Sequence, residues 1–219
     1  MIQSAVDGVL VLVLLLDLWL LAATRIRTCV VILTLQFWLL ASLPVAVSLV
    51  HGEAPSIHQV LISVGTLVLK GIVLPQVITG AIRRADIGPR VEPLIGFAAC
   101  LLVGAALVVG SFGMSARLPL PVVPLSPYLV PVSISTVLIG LLVLMTRVKA
   151  LTQVIGYLVL ENGLFLMGLL LVRQMPFVVE LGILLDVFVG VFVMTIVVHH
   201  IGRTFEQVDT TRLDSEADA

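Results

Sequence analysis

Two carboxylates and one lysine stand where an apolar sequence has least reason to keep them. Glu161 is the midpoint of the run Ala150–Val172, ALTQVIGYLVLENGLFLMGLLLV, with eleven residues on either side. At ~1.5 Å per residue such a run crosses a ~30 Å hydrocarbon core as one helix. A charge at its centre costs roughly 2.5–3.5 kcal/mol to insert. Asp186 is the tenth residue of the following run, Phe177–His200, and the turn Arg173-Gln174-Met175-Pro176 joins the two. In an antiparallel helical hairpin the two acids come to nearly the same depth, within roughly 3 Å along the axis. Gly182 and Gly190 lie four residues to either side of Asp186, a small face suited to close helix packing. Withdrawal from water disfavours the charged form of an acid, so such a pair can load and release protons near neutral pH. The competing reading is a permanently protonated pair that ties two helices together. Apolar residues would hold the same hairpin without the insertion cost, which favours proton exchange.

Lys70 is the fourteenth residue of the run Ile57–Gly80 and also falls near mid-depth. Pro75 cannot donate to the carbonyl of Gly71, so a free backbone oxygen is expected beside the lysine. A buried lysine next to a broken helix suits a proton relay. The alternative is a static ion pair with Asp17, in the cytoplasmic half of the first apolar run. Asp7 and Glu180 lie within about a turn of the outer surface and are expected to be wet. His199 and His200 close the last run and are accessory candidates on the path. Histidines at a helix C-terminus also simply favour its dipole. Their side chains point about 100° apart, which makes a poor metal site, and none is assigned.

These residues are positioned by seven apolar stretches: Gln3–Ala23, Thr28–Val50, Ile57–Gly80, Pro93–Gly113, Pro127–Met145, Ala150–Val172 and Phe177–His200. The fold class expected is an all-α polytopic membrane protein with seven transmembrane helices. Alternate connections and the tail carry Arg25, Arg27, Arg83, Arg84, Arg90, Arg147, Lys149, Arg203 and Arg212, against only Arg117 and Arg173 on the other side. The positive-inside rule then puts the N-terminus outside and the C-terminus in the cytoplasm. Pro119, Pro121, Pro124 and Pro127 favour extended backbone. They divide a four-helix part (1–113) from a three-helix part (127–203) through an external linker (114–126). Residues 204–219 are polar, with Asp214, Glu216 and Asp218 at the end, and are expected to form a disordered tail.

Composition agrees. With 60% hydrophobic and 11% charged residues and a mean hydropathy of +1.23, the chain is expected in a bilayer, as a multi-pass protein of the cytoplasmic membrane, and not on nucleic acid. Cys29 and Cys100 both fall in apolar runs and read as buried thiols, with a disulfide as the lesser alternative. No CxxC, Cys/His cluster or Gly-rich phosphate loop is present, so no cofactor is expected on this chain itself. No Lys or Arg precedes Asp7, so the first run reads as a retained helix and not a signal peptide.

From Arg147 to Arg203 the sequence resembles the K subunit of respiratory complex I and its relatives in membrane-bound hydrogenases and multisubunit cation/proton antiporters. The matching pieces are Arg147-Val148-Lys149, Ile155-Gly156, Asn162, Asp186 three residues before Val189-Gly190, and the basic end at His200 and Arg203. Those proteins have three spans running outside to inside, as expected for the last three helices here. Four further helices in front make the whole chain similar to component E of the hydrogenase-4/formate hydrogenlyase group. Leu158 stands where the complex I family has its first glutamate, and Glu161 follows one turn later, ~4.5 Å along the axis. Asp186 stands for the second. The resemblance implies a subunit that is not an enzyme on its own. Iron–sulfur clusters, with or without a nickel–iron centre, would lie in partner subunits. The partners implied are antiporter-like membrane subunits and the membrane anchor of a peripheral redox module. Glu161 and Asp186 would carry protons or sodium, with Lys70 biasing their occupancy. A helical scaffold with neutral acids, and an antiporter subunit without redox partners, remain the alternatives.

Overall fold

A computed structural model describes residues 2–50, 54, 57–84, 91, 94–119 and 126–171. Helices α1 (Ile2–Ala22), α2 (Ile26–Val50), α3 (Ile57–Val68), α4 (Leu74–Arg84), α5 (Phe97–Ser115), α6 (Leu129–Thr146) and α7 (Ala150–Leu171) follow in order. Between α3 and α4 the chain runs without a break through a π-helical stretch, Leu69–Val73. The described residues contain no strand, and six of their helical segments are long and apolar enough to cross a membrane. They match the first six stretches expected from sequence to within a few residues. The seventh, Phe177–His200, lies outside the described residues, as do Glu180, Asp186, His199 and His200.

The π-helical stretch follows from the sequence around it. Pro75 has no N–H, so the regular ladder cannot close across it. One residue earlier, the Leu74 N–H reaches back to the Leu69 carbonyl, the five-residue step of a π-turn. The Gly71 carbonyl, expected to be free, instead accepts a hydrogen bond from Trp38 Nε1 at 3.2 Å. A Cβ at Gly71 would stand 2.9 Å from the Trp38 ring, so a larger residue there would push the indole off its hydrogen bond.

The broadest helix contact is between α6 and α7, whose backbones touch through glycines. An added Cβ at Gly163 would meet the Val137 nitrogen at 2.6 Å, and one at Gly156 the Leu144 nitrogen at 2.7 Å. One at Gly140 would run into the backbone of Leu160. Small residues let membrane helices approach this closely.

The buried core divides in two. One apolar cluster gathers Leu20, Leu21, Ile26, Leu33, Ile139, Val143, Ile155 and Leu158 among others. The other holds Val6, Leu10, Val13, Leu40, Leu43, Val132 and Leu166. In α1, α6 and α7 a buried polar residue falls between the stretches given to each cluster: Asp17, Thr136, and Glu161 with Asn162; on α2 the buried Gln36 lies one residue before Phe37, where the first cluster's stretch ends.

At the end of the bundle where α1 meets α2, Arg147 folds inward instead of standing in water. Its Nη2 donates to the Leu21 carbonyl at 3.2 Å, and the guanidinium lies 5.4 Å from the Phe97 ring centre. Burial pulls its pKa below the usual arginine value. Cys29 and Cys100 are both buried and free.

Candidate functional site

Lys70 sits on the π-helical stretch, where the wider turn carries its side chain into the bundle. Lys70 Nζ lies 3.1 Å from Glu161 Oε1, and each side chain is 3% exposed. The ammonium also lies 5.9 Å from the centre of the Phe37 ring, within cation–π range. Glu161 is the twelfth of the 22 residues of α7, so the pair is formed about halfway along its helix.

A second group is built from the neighbouring positions. Asp17 Oδ1 accepts a hydrogen bond from Gln36 Nε2 at 2.6 Å, and Asp17 Oδ2 accepts one from Thr136 Oγ1 at 2.6 Å. Gln36 Nε2 also lies 3.5 Å from the Val13 carbonyl, and Asn162 Nδ2 donates to Gln36 Oε1 at 3.5 Å. All four side chains belong to fully buried residues. Asn162 Oδ1 has no hydrogen-bond partner among the described residues.

The two groups are joined by successive residues on two helices. On α2, Gln36 turns to Asp17 while Phe37 faces Lys70. On α7, Asn162 turns to Gln36 while Glu161 faces Lys70. Adjacent helical residues point about 100° apart, so one turn of each helix supplies both groups. The product is a polar layer through the bundle, with Lys70–Glu161 at one side and Asp17–Thr136 at the other.

Such a layer can do acid–base chemistry. A carboxylate and an ammonium removed from water are each costly alone and stable together. Among the described residues, no three metal-ligating side chains gather at one place.

Comparison with known proteins gives relatives of similar size. The chain is 33% identical over 157 residues to uncharacterized protein Rv0085 of Mycobacterium tuberculosis, covering 69% of this chain and 70% of that protein. It is 30% identical over 152 residues to hydrogenase-4 component E of Escherichia coli, again over 69% of this chain and 70% of the relative. The chain belongs to the hydrogenase-4 component E family. Component E of Shigella flexneri matches equally. No family model matches the chain, and no solved structure does.

In this chain the sequence-derived candidates fall as follows. Lys70 and Glu161 are brought together. Asp17 is not paired with Lys70, which corrects that alternative: its two oxygens are taken by Gln36 and Thr136. Depth along a helix had suggested the Lys70–Asp17 pair, but depth does not say which helices are neighbours. Asp7 is not simply wet, since its Oδ1 is buried without a hydrogen-bond partner among the described residues. Sequence reasoning missed Gln36, Thr136 and Trp38, and gave Asn162 only through the family resemblance. The available signal was weak: a glutamine eleventh of 25 residues in α2 is rarer in lipid than a threonine, but carries no charge to mark it.

Proposed function

We propose that this chain is a membrane subunit of a hydrogenase-4-like, complex I-related redox complex, and that it supplies part of an ion path. Redox chemistry would lie in partner subunits carrying iron–sulfur clusters, with or without a nickel–iron centre. Antiporter-like membrane subunits and the anchor of a peripheral module would adjoin it. The chain would span the cytoplasmic membrane seven times, N-terminus outside, with its part from Arg147 onward similar to the complex I K subunit. Glu161 loads and releases a proton, Lys70 biases its occupancy, and Asp186 is the second carboxylate of the path. The single observation that supports this reading is the buried Lys70–Glu161 pair at 3.1 Å. At this distance the two charges stabilise one another out of water, so a proton moving onto Glu161 would leave Lys70 without its counter-charge.

The experiment is redox-driven acidification of inverted vesicles carrying the intact complex. Glu161→Gln is expected to abolish acidification while assembly and electron transfer persist. Acidification at the parental rate would reject the role. A scaffold reading is favoured by one observation only, the double clamp on Asp17, which suits a fixed strut. Loss of assembly in Glu161→Gln, and not of acidification alone, would support it.

A further inference from the structure

The face of α3 that leads to Lys70 is itself polar. Gln59, Ser63, Thr66 and Lys70 recur at steps of four, three and four residues, the spacing of one helical face. Ser63 is 8% and Thr66 7% exposed. Val60, Leu61, Val64, Leu67 and Val68 around them are apolar and exposed. The helix thus turns its hydrocarbon outward and its hydroxyls inward, which is the reverse of a surface helix in water.

The inner face is covered by α2. Ser48 Oγ donates to Gln59 Oε1 at 2.6 Å near one end, and Trp38 Nε1 donates to the Gly71 carbonyl near the other. That antiparallel register sets Pro44 opposite the stretch around Ser63 and Gly65. Proline removes the donor that the Leu40 carbonyl would otherwise use, so this part of α2 is also short of internal partners.

Ser63 is the decisive residue. A hydroxyl inside an apolar helix normally bonds back to a carbonyl three or four residues earlier. Thr34, Ser111, Ser133, Ser135 and Thr146 all do so here. Ser63 Oγ is buried and finds no hydrogen-bond partner among the described residues. A buried polar atom of this kind is ordinarily met by water.

We propose that the Gln59–Ser63–Thr66 face of α3, closed by α2, is a water-lined route by which protons pass between the Lys70–Glu161 pair and the end of the bundle where α2 connects to α3. In the orientation proposed above, that end is the outer one. Successive polar residues are ~4.5–6 Å apart along the axis, a gap that one bridging water spans. The proton passes along these waters as hydronium, and Ser63 and Thr66 position them without being consumed. The inference rests on the reading that the Lys70–Glu161 pair exchanges protons.

Two measurements on the intact complex in oriented vesicles test it. The first uses Ser63→Cys and Thr66→Cys, with Val64→Cys as the outward-facing control and buried Cys29 and Cys100 left in place. A small membrane-impermeant methanethiosulfonate added from the outer side is expected to modify positions 63 and 66 about tenfold or more faster than position 64. Equal rates, or modification only from the inner side, would overturn the route. The second is the doubly substituted Ser63→Val/Thr66→Val complex, expected to lose about tenfold in acidification rate at parental electron transfer. Full acidification in that variant, with Glu161→Gln inactive, overturns the route and leaves the pair's role standing. Full acidification in Glu161→Gln removes the role of the pair itself.

Discussion

Removing one partner of a buried ion pair strands the other, at a cost of about 3–5 kcal/mol, whereas replacing both with apolar groups is often neutral. Lys70→Met and Glu161→Leu are therefore each expected to lower the melting temperature of the purified subunit, and the double variant to recover most of the loss. The cycle is expected to be strongly non-additive, the loss in the double variant falling well below the sum of the two single losses. Additive losses would mean that the 3.1 Å contact does not govern stability. The same two residues show what a sequence can and cannot disclose. Both were legible as charged residues in apolar runs, and both at mid-depth, because the rise per residue fixes depth once a helix is drawn. Their pairing was not legible. It depends on which helices are neighbours and on how far the π-turn rotates Lys70, and neither leaves a mark in local composition. Asp17 was the acid weighed as a static partner for Lys70, and Gln36 and Thr136 take it instead.

Between α3 and α4 the signal was Pro75, which announces a break in the ladder without saying what form it takes. The form depends on Trp38, thirty-three residues away, whose indole N–H satisfies the released Gly71 carbonyl. Local sequence cannot supply that partner. Gly71→Ala is expected to destabilise by roughly 1–3 kcal/mol through overpacking against the indole, and Trp38→Phe to leave a buried carbonyl unpaired at a similar cost. The α6–α7 contact makes a sharper case, because there the obstacle is backbone and cannot rotate away. Gly163→Ala places a Cβ 2.6 Å from the Val137 nitrogen, while Gly113→Ala on α5 meets nothing within 4 Å. The first is expected to cost roughly 1–3 kcal/mol or more and the second nothing measurable, read as thermal midpoints in the same detergent. Equal midpoints would mean that the two helices do not touch through glycine. Gly156 and Gly163 were visible in the sequence, but a glycine in an apolar helix says only that something approaches closely.

Across the bundle, the polar layer cuts the core into two apolar clusters, one holding Leu20 to Leu33 and the other Val6 to Val13. In water such a layer would weaken a fold. In lipid, apolar surface gains little from burial between helices, and packing and polar contacts carry relatively more of the association. The layer is thus a device for holding helices in register as well as a place for charge. Its depth also bears on topology. The basic residues Arg25, Arg147 and Lys149, in connections, and Arg27, in the first turn of α2, all lie at one end of the described helices, which is the pattern the positive-inside rule gives to the cytoplasmic side. Six described spans would return the chain to the side where it began. A seventh, from Phe177 to His200, would carry it across once more and bring Asp186 to mid-depth. Reporters fused to the two termini in intact cells separate these cases: a periplasm-active one at the N-terminus and a cytoplasm-active one at the C-terminus are both expected to be active. If both termini report from one side, the number of spans is even. The expected place of Asp186 beside Glu161 is then lost, and the path must use Glu161 and Lys70 alone.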